Sequence, residues 1–252
     1  MNVVLDIETI PDQRPKAMEL YREQARTEFH APSKMTKADM IKELAAEGIE
    51  FPDNGKFIAA AEMKQRWEYH FRDARAESFA DDLYRKTSLT DDCTICVIAI
   101  KQQSSKTAYT TSGVFSIVDQ DEYSMLMKFA DVIQRLAPQG VFFIGHNIAW
   151  DLERLQHKYW EHGLNPHFSL PFDGRHTYDF YDTMQAWAGF KQRVSLPNLC
   201  SRLGVACKTD IDGAMVWDTW QKEPERVAAY CLEDVNATLS VYERLTYQNQ
   251  EA

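Results

Sequence analysis

The alternation of apolar and polar positions divides the 252-residue chain into stretches of different character. The first, Asn2-Val-Val-Leu running into Asp6-Ile-Glu-Thr-Ile10, is short and β-branched, and it stops at Pro11-Asp12, so it predicts a strand. From about 14 to 92 the pattern becomes charged, Ala-rich and helix-forming, with breaks at Pro32 and around Pro52-Asp-Asn-Gly55. This predicts helices over about 15–29, 37–47 and 56–85, the second opened by Thr36 with Asp39 and closed by Gly48. Strands are then predicted over 94–101 and 107–111, joined as a hairpin by the polar turn Gln102 to Lys106. A helix over about 120–136, a buried strand at Val141-Phe-Phe-Ile-Gly145, a helix over about 149–162 and a strand at Tyr178-Asp-Phe-Tyr-Asp182 follow. Ser195-Leu-Pro-Asn opens a short helix, and a long one runs from Pro224 to about Tyr247. The expected architecture is α/β, a single domain over 1–252 with a helical insertion at about 14–92.

Charge changes the picture of what such a domain can bind. With 28 basic and 38 acidic residues the net charge is −10, which argues against a protein held to nucleic acid by bulk positive charge. It does not argue against an enzyme that gathers acids around metal ions. Five cysteines make an odd number that suits a reducing compartment rather than a disulfide framework. Cys93 and Cys96 form a CxxC, but Cys96 lies inside a strand-like run, so zinc is not expected there. No apolar stretch approaches the roughly 20 residues of a membrane span, and no basic-then-apolar leader is seen, so the expectation is no membrane and a cytoplasmic location.

Three acidic groupings carry candidate chemistry. Asp6 and Glu8, two apart on a strand, project to one face. In Gly145-His-Asn-Ile-Ala-Trp-Asp151 an apolar strand ends where a helix begins, placing Asp151 in the first helical turn. Tyr230 and Asp234, four apart on the last helix, share a face at the edge of the apolar stripe Val227, Cys231, Val235, Thr238 and Val241. Each alone has an ordinary reading: solvated acids at a strand end, an acid complementing a helix dipole, a chance spacing. Four carboxylates converging on one point would repel and raise one another's pKa values unless cations neutralised them, and oxygen-only donor sets suit Mg²⁺ or Mn²⁺. In the helical stretch, Arg66-Trp-Glu-Tyr-His-Phe-Arg72 and Arg75 interleave cations with aromatics in a manner suited to single strands. The helical wheel instead puts Met63, Trp67, Phe71 and Ala74 on one core seam and turns Arg66 away from Arg72 and Arg75. Lys191 and Arg193 lie in a loop suited to phosphate contact.

Asp6-Ile-Glu8, Asn147 with Asp151, and Tyr230 with Asp234 resemble the three exonuclease motifs of the DEDD superfamily. The tyrosine four before the last aspartate marks the DEDDy branch; the histidine branch would need His where Ala229 stands. The stretch from Ser195 to Gly204, through Asp212-Gly213, to Asp234 is also similar to stand-alone exonucleases that resemble the family B polymerase proofreading domain. The resemblance implies a ribonuclease-H-like mixed five-stranded sheet flanked by helices, with the insertion after its first strand. It also implies 3′-to-5′ hydrolysis of single-stranded ends by two metal ions, Mg²⁺ or Mn²⁺, roughly 4 Å apart. Asp6 would bridge both ions, Glu8 and Asp234 would complete the site of the ion holding the attacking water, and Asp151 would serve the second. Tyr230 would orient the water, Glu8 would also hold the terminal 3′ hydroxyl, and Ile7, Thr9, His146 and Asn147 would lie against the substrate end. Asp182 is read as a structural cap. DNA is favoured over RNA, with an exoribonuclease of ribonuclease D type or a catalytically weak binding or adaptor module as the alternatives. With no polymerase domain in these residues, editing in cis is not expected, and a separate polymerase or repair protein is left open as a partner.

Overall fold

The computed structural model describes residues 1–103, 114–118, 121–138, 140–172, 180–189, 191–207 and 211–248. Among them the elements run β1 (Asn2–Ile10), α1 (Ala17–Glu28), α2 (Lys37–Ala46), α3 (Ala60–Lys86), β2 (Thr94–Gln102), β3 (Val114–Val118), α4 (Glu122–Leu136) and β4 (Phe142–Gly145). They continue with α5 (Ile148–Glu161), β5 (Phe180–Asp182), α6 (Thr183–Ala188), α7 (Leu196–Leu203), α8 (Val216–Trp220) and α9 (Pro224–Leu245). The expected strand at 107–111 lies outside the described residues; the strand beside β2 is Val114–Val118. Two short helices, α6 and α8, have too few residues to register as a periodic pattern. No helix among the described residues is long and apolar enough to cross a membrane.

The chain divides into two compact units, Met1–Ile10 with Asp91–Ala252, and Pro11–Thr90. The first is built on a mixed α/β sheet of order β3-β2-β1-β4-β5. β1 is antiparallel to β2 and parallel to β4, and β4 is parallel to β5. Alternation in β1 sends Val3, Leu5 and Ile7 into a core shared with α4 and α5, and Val4 and Ile10 into a core shared with α8 and α9. Asp6 and Glu8 have the parity of Val4, so they face α9. In β2 the pairing shifts between Glu8↔Val97 and Thr9↔Ile95, a bulge that leaves Cys96 and Val97 in the same α9-side core. The Cys96 thiol donates to the carbonyl of Glu8 at 3.4 Å, occupying a backbone acceptor beside the bulge.

The second unit packs its three helices around Phe29, Met40, Leu44, Met63, Trp67 and Phe71. Thr36 and Asp39 form a capping box at the start of α2. α3 begins at Ala60 rather than near 56, because Asp53 and Asn54 take left-handed conformations (φ 49° for both) in a short 3₁₀ turn. Its buried face follows Met63, Trp67 and Phe71 with Ala76 and Ala80; Ala74 is exposed. Arg66 does not diverge from Arg72 as the wheel suggests, though it does from Arg75. Arg66 and Arg72 border one surface depression with the exposed Tyr69 between them, while Arg75 lies over the Phe71 ring at 4.2 Å.

Candidate active site

The site sits where β1 outruns its neighbour. Parallel pairing of β1 with β4 reaches Val4↔Ile144, after which β4 ends at Gly145 and the chain turns into α5. Beyond that point β1 has no strand on the β4 side, and its exposed backbone donors need other partners. Asp151, in the first turn of α5 and 4% exposed, supplies one: its Oδ1 accepts from the Ile7 N–H at 3.3 Å. Asp151 thus joins the helix to the strand that carries Asp6 and Glu8.

The turn between β4 and α5 is built for close approach. A side chain at Gly145 would place its Cβ 2.7 Å from the Ile148 Cβ, so only glycine lets α5 start this near the strand end. Asn147 then takes a left-handed conformation (φ 64°) at the helix N-cap. Its N–H donates to Asp182 Oδ1 at 3.0 Å, an oxygen that also caps α6 by accepting from Met184 and Gln185. The expected result of Gly145→Ala is a loss of about 1–3 kcal/mol from overpacking. The urea midpoint would drop accordingly, and any metal response would weaken as Asp151 moves.

From the opposite face α9 brings Tyr230, Cys231 and Asp234 under β1. Cys231 is fully buried, and its thiol donates to Asp6 Oδ2 at 3.2 Å. A carboxylate oxygen of Asp6, one of Glu8 and the Cys231 sulfur all lie within 4.8 Å of one another. The electrostatics record the same convergence. Burial, then the charge of Asp234, pushes Asp6 up to about 8 against the opposing thiol hydrogen bond. Glu8 is held well above the carboxylate range by burial and by Asp6, Asp234 and Asp151. Asp151 is raised by burial and by Asp6, opposed by the Ile7 N–H. Asp234 is pushed up to about 6, mainly by burial, with a hydrogen bond from Tyr230 pulling it down. Burial and these acids keep the Tyr230 hydroxyl protonated. Four partly or fully buried carboxylates, opposed mainly by neutral hydrogen-bond donors, make a donor set whose chemistry fits hard divalent cations.

The other residues singled out in the sequence are placed differently. Ile7 is 5% exposed within the core under α5, because alternation turns it away from Asp6 and Glu8. Thr9 is likewise buried. His146 follows Gly145 but spends both ring nitrogens inside the protein, Nε2 donating to the Val194 carbonyl at 2.8 Å and Nδ1 lying 3.0 Å from the Thr183 hydroxyl. Burial lowers its pKa, so it is a neutral structural ring. The Asn147 side chain is partly exposed and has no hydrogen-bond partner among the described residues, which leaves its amide free to meet a ligand. Lys191 and Arg193 lie on the exposed connection into α7. Cys231 is the contact that sequence reading does not single out: it is indistinguishable there from a small apolar residue of the α9 stripe.

Fold and cluster together define an α/β protein with a carboxylate centre at the strand ends. The chain belongs to the family of predicted 3′-5′ exonucleases related to the exonuclease domain of PolB, whose profile matches residues 83–251. The matched segment contains Asn147, Asp151, Tyr230 and Asp234; Asp6 and Glu8 precede it. Comparison with curated proteins gives no match.

Proposed function

We propose that this protein is a metal-dependent 3′-5′ exonuclease that removes nucleotides from the 3′ ends of single-stranded nucleic acid, with DNA favoured. The observation that carries the reading is the convergence of Asp6, Glu8, Asp151 and Asp234 from a strand and two helices on the end of β1. Membership of the PolB-related exonuclease family supports the direction of attack and the preference for DNA. We read the fold as ribonuclease-H-like: an antiparallel β1-β2-β3 run continued by parallel β4 and β5 supports this. Two divalent cations, Mg²⁺ or Mn²⁺, would supply the Lewis acidity that activates water and stabilises the leaving 3′ oxygen.

The chain's own groups divide the remaining work. Asp6 would hold both cations, with Glu8 and Asp234 completing one site and Asp151 the other. Tyr230, protonated and donating its one hydroxyl proton to Asp234, would orient the attacking water by accepting from it. Asn147 offers its free amide to the substrate end, and His146 acts by fixing the turn that presents it. We place the protein in a reducing, cytoplasmic setting, which its five free cysteines suit, acting beside a separate polymerase or repair protein.

The test is a time course on 5′-labelled single-stranded DNA and RNA of matched sequence with Mn²⁺, Mg²⁺ or EDTA. A ladder shortening from the 3′ end, present with metal and absent with EDTA, is expected, and faster on DNA. Faster shortening of RNA would replace the DNA preference with a ribonuclease activity. Oligonucleotides left intact in every lane would overturn the enzyme reading.

A further inference from the structure

We propose that Cys231 is a positioning residue for Asp6, holding one carboxylate oxygen so that the other is presented to a cation; this rests on the two-cation reading above. The Cys231 sulfur lies 3.2 Å from Asp6 Oδ2 and 3.5 Å from the Asp6 carbonyl oxygen, so one thiol addresses both the backbone and the side chain of the same residue. Asp6 Oδ1 has no hydrogen-bond partner among the described residues. A carboxylate on an extended strand turns freely about its side-chain torsions, and a donor on one oxygen selects one orientation. The Glu8 carboxylate lies within 4.8 Å of the same sulfur, so the orientation selected is one that keeps the two acids together.

The position accepts few alternatives. Cys231 is fully buried and packs with Val4, Val97, Val227 and Val235 between the β1–β2 pair and α9. A larger side chain would push Asp6 outward, and an apolar one of similar size would leave Oδ2 without a donor. Hydrogen-bond partners of metal-binding carboxylates set ligand orientation, and their loss costs about 10- to 100-fold in metal affinity or activity. Cys231 is the residue the structure offers for that role at Asp6.

The experiment compares Mn²⁺ binding by calorimetry in the full-length wild type, Cys231→Val and Cys231→Ser, with melting curves as a check on folding. Valine removes the donor but adds bulk, serine keeps a donor, and Cys231→Ala, which removes the donor without adding bulk, separates the two effects. Cys231→Val is expected to bind Mn²⁺ about tenfold more weakly, and to lose kcat on a single-stranded oligonucleotide with KM unchanged. Cys231→Ser should restore most of both. If the valine variant does not fold, Cys231→Ala carries the same comparison. Equal Mn²⁺ affinity in wild type and Cys231→Val, or a serine variant as weak as the valine one, overturns this inference and leaves the exonuclease reading standing. A wild type that binds no Mn²⁺ overturns both.

Discussion

Asp6→Asn is expected to slow metal-dependent shortening of a single-stranded oligonucleotide by more than about 100-fold, beyond the cost of losing an outer partner of a metal ligand. Asparagine keeps the size of the side chain and an oxygen able to accept from Cys231, so β1 and its pairing with Ala99 should persist. What is lost is the anionic oxygen at the centre of a group whose other members, Glu8, Asp151 and Asp234, each feel Asp6 or raise it. Asp234→Asn should fall in the same class. Tyr230→Phe should be milder, about 10- to 100-fold, because it removes the hydroxyl bonded to Asp234 and leaves all four carboxylates. Single-turnover rates at saturating Mn²⁺, with circular dichroism to verify folding, decide the ranking. A wild-type rate in Asp6→Asn, or a Tyr230→Phe loss as deep as that of Asp6→Asn, would defeat this division of roles.

Much of the sheet is legible in the sequence because alternation is a local property. Val3, Leu5 and Ile7 against Val4 and Asp6 already separate two faces, and the i,i+4 spacing of Tyr230 and Asp234 already places them together. Register is not local. That β1 pairs with β4 only as far as Val4↔Ile144, and so leaves the Ile7 N–H for Asp151, depends on residues some 140 positions apart. His146 shows the limit of adjacency: next to Asn147 in sequence, it turns into the protein toward Val194. In the helical unit the capping box at Thr36 and Asp39 is a four-residue signal and is legible. The seam of α3 is less so, since a 3.6-residue period drifts against steps of four and the buried face passes to Ala76 and Ala80. A buried thiol reads as one more apolar position, so the link from Cys231 to Asp6 emerges only when strand and helix are assembled.

The gathered acids also make the metal-free protein expensive to keep folded at neutral pH. A carboxyl whose folded pKa is raised holds a proton that the unfolded chain has already released, so stability falls as pH rises between the two values. For Asp6 that window runs from 3.8 to about 8, for Asp234 from 3.8 to about 6, and Glu8 and Asp151 shift in the same direction. The melting temperature without divalent cations should therefore decline from mildly acidic pH toward pH 8. Ordinary carboxylates such as Asp39, held low by its bonds from Thr36, act oppositely and do so below this range. Mn²⁺ at 100 times its dissociation constant would contribute about 2.7 kcal/mol, or about 5–10 °C for a chain of this size. The gain should grow with pH, because protons compete with the cation for the same oxygens. Asp6→Asn should melt higher than the wild type at pH 8 without metal and respond least to Mn²⁺. Calorimetric scans across pH 5–8, with EDTA or Mn²⁺, read both effects. A metal-free melting temperature that rises steadily to pH 8, together with an Asp6→Asn variant no more stable than the wild type there, would mean that these four carboxylates do not share one charged centre.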